Sequence, residues 1–414
     1  MTTPYRLLLL TLITSLSSFV QAQDPVRIAF MDPLSGSFAG VGTSGLKQLQ
    51  FAAEYFYNSK GGILGGRKIE IVPLDNKQSP TDTQIQFRRA VSEGIQIIFQ
   101  GNSSAVANTL NATISRHNRR NPGQEVLQIN YSAVDPILTE AECSFWHFRF
   151  DAHAVMKLNV LTDYIAMNED IKSIYIIGQD YSFGQVVAEN SVRLLQEKRP
   201  DIAIAGTEFH PIGQVKDFTP YVTKIVASGA DAVITGNFGA DMVSLAKSII
   251  DSGLDVPIYT FYAAYDGITA TLGEAGKDRI FLIHNETSNP LQTEERKAYY
   301  RAFKAANPNN DVTQPRIANA LQMLVAAIEK TQSTDPYDIA LALEDMRLTN
   351  LSGEEMWMRG TDHQVFQSLN ISVQTDEGIE FDADNSGIGL RTIYSVPGED
   401  TVVDTSCKME RPSR

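Results

Sequence analysis

The sequence predicts an α/β protein built as two lobes, each a Rossmann-like parallel sheet flanked by helices. Three observations carry that prediction. Short runs rich in Ile, Val and Phe alternate with longer helical stretches from residue 26 onward. The alternation begins afresh near Asp151. The chain of 414 residues is also too long for one ordinary domain and comfortable for two.

The runs at 26–31, 68–74, 95–100 and 126–130 read as strands covered on both faces, because they are short and apolar. Helical stretches at 45–59, 81–93 and 103–118 separate them. Helices of that length between strands imply right-handed crossovers and therefore a parallel sheet. Gly61-Gly62 and Gly65-Gly66 stop the first helix and supply the next turn. The second series places strands at 173–177, 202–205, 232–235 and 257–261, with helices at 154–167, 183–197, 218–228 and 240–252. After a strand at 279–283 the character changes: helices at 294–306, 316–330 and 336–346 follow with no strand between them. The segment from 352 to about 393 is strand-like and broken by Gly and Asp.

The first 22 residues read as a secretory leader: Arg6, then the apolar run LLLLTLITSLSSFV, then Val20-Gln21-Ala22 ending in a small residue suited to signal peptidase. The apolar run is short of the roughly 20 residues a membrane span needs, so the expectation is a cleaved leader and a protein exported to the periplasm. The formal charge of −14, with basic residues scattered, repels phosphate backbones and anionic lipids and disfavours a nucleic-acid partner. Cys143 and Cys407 are the only cysteines, an even count that in an exported chain favours a disulfide pinning the C-terminal tail.

Catalytic patterns are missing. There is no GxSxG elbow and no HExxH or CxxC spacing, and the six histidines show no i, i+4 pairing. The expectation is a binding protein without metal or cofactor, not an enzyme. Gly40-Val41-Gly42-Thr43-Ser44-Gly45 spells GxGxxG, but Gly40 stands well beyond Met31 at the end of the first strand, where a dinucleotide fingerprint would need it close. That stretch is instead expected to be a loop shaping a cleft mouth, with Ser35, Ser37 and Phe38 near a ligand.

Several motifs, in order along the chain, together resemble the type I periplasmic binding proteins, specifically the leucine/isoleucine/valine-binding group that serves ABC importers. They are Pro33-Leu34-Ser35-Gly36, Asn58-Ser59-Lys60-Gly61-Gly62-Ile63-Leu64-Gly65, Asp75, Gly101-Asn102-Ser103-Ser104 and Asp180-Tyr181-Ser182-Phe183-Gly184. The resemblance implies a hinge of three crossings, near 148–151, 283–286 and 365–369. The first lobe would comprise 24–149 and 285–366, and the second 150–284 and 367–400, with 401–414 as a tail. It also implies a small-molecule ligand in the cleft, an ABC permease as partner, and a monomer.

On this resemblance Asn102, Ser103 and Ser104 would bind the ligand carboxylate, although Ser or Asn at a helix start also caps free N–H groups. Ser132 and Ala133 would hold the headgroup, with Val134 where relatives carry Thr. Phe183 and Phe238 fall where relatives carry tyrosines that close over the ligand, and Tyr181 could add a phenol. One departure stands out. Where amino-acid-binding relatives place a Glu for the ligand ammonium, an ungapped reading puts Ala263. Either Asp266 or Asp241 replaces that carboxylate, or the ligand has no ammonium, since an unpaired buried ammonium is costly. Tyr262 and Tyr265 would then suit an aromatic or other hydrophobic carboxylate. The reading from another class is a ligand-sensing module for a receptor or two-component system.

Overall fold

The computed structural model describes residues 24–286 and 289–413; the expected leader lies outside them. Strands and helices alternate through the first half as β1 (Val26–Asp32), α1 (Ala39–Phe56), β2 (Ile69–Asp75), α2 (Pro80–Ser92), β3 (Ile97–Gln100), α3 (Ser104–Arg120), β4 (Leu127–Asn130) and β5 (His147–Arg149). The second series is α4 (Ala154–Ala166), β6 (Ser173–Gln179), α5 (Ser182–Lys198), β7 (Ala203–His210), α6 (Thr219–Ser228), β8 (Ala232–Thr235), α7 (Gly239–Asp251), β9 (Ile258–Thr260), α8 (Ile268–Gly276) and β10 (Ile280–His284). Then come α9 (Glu294–Ala306), α10 (Arg316–Thr331), α11 (Pro336–Leu343), β11 (Arg347–Thr349), β12 (Glu355–Met358), β13 (Val365–Phe366), β14 (Leu369–Thr375) and β15 (Gly389–Val396).

The first sheet is five-stranded, β2-β1-β3-β4-β5, with every pairing parallel. The second is seven-stranded, β15-β14-β10-β9-β8-β6-β7. Its β6–β10 portion is parallel, while β14 and β15 add an antiparallel edge from the C-terminal segment. A small antiparallel sheet, β11-β12-β13, completes the set. Strands such as β3, β4 and β8 are buried at every position, which explains their unbroken apolar character.

Two apolar cores follow the sheets. Late helices α9, α10 and α11 send Phe303, Leu321 and Ile339 into the core of the first sheet, whereas α4–α8 pack on the second. The chain therefore passes from first sheet to second after β5, returns after β10, and crosses again between β13 and β14. These crossings are stitched together by buried side chains. Gln364 donates to the Asp151 carbonyl (2.9 Å), Gln367 to the Phe150 carbonyl (3.1 Å), and Asn370 to the Asn285 carbonyl (3.0 Å).

One local expectation is overturned. Gly40–Gly45 is not a loop: it forms the first turns of α1, which begins at Ala39. Two of its three glycines, Gly42 and Gly45, are closely packed, whereas Gly40 faces open space. A Cβ on Gly42 would sit 1.9 Å from the Pro33 carbonyl oxygen, so only glycine lets the helix pass that backbone. Cys143 and Cys407 are disulfide-bonded, with Cα atoms 5.7 Å apart.

Candidate ligand-binding site

A cavity lies between the sheets where strand C-termini meet helix N-termini. Its wall includes Asn102, Ser103, Ser104, Ser132, Ala133, Tyr181, Phe183, Phe238, Tyr262 and Tyr265, so the structure brings these ten sequence-expected residues together around one cavity, while Ser35, Ser37 and Phe38 are not in its wall. Gly101 and Val134 complete the lining.

Three helices start at this cavity. Ser103 precedes α3, Tyr181 precedes α5 and Phe238 precedes α7, and none of the three side chains caps its own helix. The capping explanation for Ser103 therefore does not hold; its hydroxyl is left for other use. Ser103 also adopts φ of +73°, a conformation uncommon outside glycine, placing backbone strain directly in the wall. Converging N-termini present free N–H groups and partial positive charge, which favours an anion.

Beneath the α3 loop, Asp32 accepts the backbone N–H of Asn102 (2.9 Å) and the hydroxyl of Tyr131. Asn102 in turn donates its side-chain amide to the Tyr131 oxygen at 3.0 Å. Burial pushes the Asp32 carboxyl up to about 7, despite the hydrogen bonds from Tyr131, Asn102 and Gly101 that pull it down. On the β4 side, the Asn130 side chain accepts from the Ser132 and Ala133 N–H groups and donates to the Ala133 carbonyl, fixing that turn.

Aromatic rings form the opposite wall. Tyr262 lies 5.9 Å from Phe183, 6.1 Å from Phe238 and 6.1 Å from Tyr265, ring centre to ring centre, stacking with the last. The Tyr262 hydroxyl donates to the Ser132 carbonyl at 3.2 Å, linking the two lobes across the cleft. At the mouth Phe38 packs on Phe238 at 4.9 Å. Ser35 and Ser37 are exposed and do not line the cavity, and Ser35 is engaged by Asp75 (2.6 Å).

The charges nearby were not legible in the sequence. Arg316, at the start of α10, donates to the Tyr131 carbonyl and the Ser132 hydroxyl, each at 2.7 Å. Burial depresses this guanidinium, but Asp151, Tyr265 and Tyr262 outweigh it and hold it above its ordinary range. Lys157 reaches Asp151 at 2.8 Å and stands 5.3 Å from the centre of the Tyr262 ring; burial pulls it down to about 8. Asp151 thus faces two buried cations, Lys157 and, at 3.5 Å, Arg316.

Neither proposed substitute for the missing Glu reaches the cavity. Asp266 is held away from it by the Asn310 side chain and the Asp311 N–H, both at 2.9 Å. Asp241 sits behind Phe238, accepting from Gln179 and from the Gly213 N–H at 2.8 Å each. Ala263 is fully buried and also outside the wall. Among the described residues lining the cavity there is no carboxylate.

No helix among the described residues is long and apolar enough to cross a membrane. The chain is 29% identical over 410 residues to "Leu/Ile/Val-binding protein homolog 4" of Brucella abortus (strain 2308), covering 94% of each. It superposes with a TM-score of 0.81 and 27% identity on the closed conformation of a leucine-, isoleucine-, valine-, threonine- and alanine-binding protein from Brucella ovis, covering 94% of this chain and 100% of that one. A solute-binding protein from R. palustris in complex with benzoate shares the fold, with a TM-score of 0.77 at 18% identity, over 93% of this chain and 99% of that one. Residues 25–378 match the family described as "Periplasmic binding protein", and the chain belongs to that family, in its type I leucine/isoleucine/valine-binding group.

Proposed function

We propose that this protein is the periplasmic solute-binding component of an ABC importer, and that it captures a small hydrophobic carboxylate, either a branched-chain type amino acid or its relative without the amino group. The observation that carries this reading is the convergence of the α3, α5 and α7 N-termini on an aromatic-walled cavity whose described lining holds no carboxylate. Partial positive charge from three helices, backed by Arg316, favours the anionic end of a ligand. Phe183, Phe238, Tyr262 and Tyr265 cover its apolar part.

Within this reading Ser103, Ser104 and the adjacent N–H groups hold the carboxylate. The lobes are 24–149 with 285–366, and 150–284 with 367–400, and they close by population shift. Contacts to both lobes exist only in the closed form, so ligand favours that form by its differential affinity. The closed face is what the permease reads, and the leader at 1–22 is cleaved on export. An amino acid would bring an ammonium into a wall without a counter-charge, which tilts the choice towards the acid alone. The fold accommodates such ligands, as the benzoate complex of the R. palustris protein illustrates.

The test is a thermal-shift panel on mature protein, unfolded and refolded to strip carried-over ligand. Leu, Ile, Val and Phe are set against 4-methylpentanoate and 3-phenylpropanoate, since binding to the folded state raises the midpoint by mass action. Shifts with the acids and not the amino acids are expected. A shift with amino acids alone would defeat the preference for an ammonium-free ligand, and no shift from either set would defeat the carboxylate reading.

A further inference from the structure

A second chamber adjoins the first and shares Tyr262 and Tyr265 with it. Its other walls include Arg316, His284, Asn285 and Glu286. The polar groups here are not equally occupied. His284 bonds to the Ser372 hydroxyl at 2.9 Å, and burial, aided by Lys157, Arg296 and Arg316, drops it to about 3, so it is neutral. Glu286 is engaged by Arg296 at 3.1 Å and by the Asn319 side chain. Arg316 is committed to Tyr131, Ser132 and Gln314.

Asn285 differs. It is 3% exposed, yet neither its amide nitrogen nor its amide oxygen has a hydrogen-bond partner. A buried carboxamide open on both atoms is a costly arrangement unless something enters to meet it. What would satisfy it must donate and accept at one end, because the free groups are one N–H₂ and one carbonyl. Glu286 is paired with Arg296 and Arg316 with Asp151, so the described wall offers no unpaired charge for a charged tail to meet.

We infer that the cleft takes a ligand whose tail passes the Tyr262–Tyr265 pair into this chamber and ends in a neutral carboxamide or ureido group paired with Asn285. This rests on the carboxylate reading of the first cavity and adds the chemistry of the far end. Tyr262 and Tyr265 would then grip the middle of the ligand rather than cap it, and a plain branched-chain side chain would leave Asn285 unmet.

The experiment is calorimetric titration of the refolded mature chain and of Asn285→Leu, with Asn285→Ser as a second variant should the first fail to fold. The probes are 5-ureidopentanoate and adipamate against hexanoate, citrulline against norleucine, and 4-methylpentanoate as the short control. In the wild type, the better-binding member of each backbone type should favour its ureido or amide form over the alkyl form by tenfold or more. That preference should vanish in the variant, with the affinity for 4-methylpentanoate unchanged. Equal affinity for alkyl and ureido tails, or a preference that survives in both variants, would overturn the inference while leaving the carboxylate site standing. Failure of every probe, the short control included, would overturn both.

Discussion

The Tyr131 hydroxyl donates to Asp32 directly beneath the loop that carries Asn102, so a buried carboxyl supports the cavity-lining backbone from below. Asp32 is fully buried, and burial moves its carboxyl from 3.8 to about 7, against the pull of Tyr131 and the loop N–H groups. Between those limits the native protein keeps a proton that the unfolded chain has released. The contribution of Asp32 is therefore complete below about pH 4, falls by up to about 1.4 kcal/mol per pH unit as pH rises, and levels off above about pH 7. Asp32→Asn removes this dependence. Urea unfolding of both proteins from pH 4 to 8 should show wild type losing stability relative to the variant as pH rises; parallel profiles would dismiss the shift.

Ser103 carries the strain of the loop that lines the cavity. With φ of +73° and no cap to its own helix, its side chain is retained at a backbone cost of about 1–3 kcal/mol. Ser103→Gly should therefore raise unfolding free energy by about 1 kcal/mol, while Ser103→Ala should not. Both should weaken ligand binding about tenfold through loss of a hydrogen bond to a charged group. A glycine variant that binds ligand like wild type would show that the hydroxyl has no part in recognition.

The strands were legible because β3, β4 and β8 are buried on both faces and leave nothing but apolar residues to read. The start of α1 was not, since Gly42 answers to the Pro33 backbone rather than to helix propensity. Helix α8 and strand β11 were not legible either, because too few residues define them for periodicity to find. Loops at strand ends were placed because the family motifs name them. Asp32, Tyr131 and Arg316 were missed for a different reason. Asp32 meets Tyr131 across 99 residues of chain, and Arg316 meets Tyr131 across 185, so no local pattern carries their partnership. The one available signal was a charged residue opening an otherwise apolar helix at 316.

The Cys143–Cys407 bridge closes a separation of 264 residues, for which chain-entropy arguments allow a stabilisation at the upper end of about 2–5 kcal/mol. The tail has other anchors: Thr405 donates to the Thr139 carbonyl at 2.7 Å, and Arg411 pairs with Glu344 at 2.8 Å. The double variant Cys143→Ser, Cys407→Ser should accordingly lose about 2–4 kcal/mol rather than fail to fold. Neither cysteine lines the cavity, so titration of the variant should return the wild-type ligand affinity. A weakened affinity would mean the tail reaches the cleft.

Asp151 is the single carboxylate facing Lys157 and Arg316, at 2.8 and 3.5 Å, and all three are buried. Asp151→Asn keeps the shape and leaves both cations uncompensated, which should cost about 3–5 kcal/mol of folding stability. The same change adds net positive charge behind Ser132 and Tyr262, where the Arg316 hydrogen bonds and the Lys157–Tyr262 contact carry it to the cavity wall. If the cleft takes an anion, ligand should restore part of what the variant loses. The midpoint rise on adding 4-methylpentanoate should then be larger in Asp151→Asn than in wild type, and the titrated affinity several-fold tighter. A variant that is destabilised as expected but binds the acid more weakly would show that Asp151 acts on the ligand through position rather than charge, and would count against an anionic headgroup near Arg316.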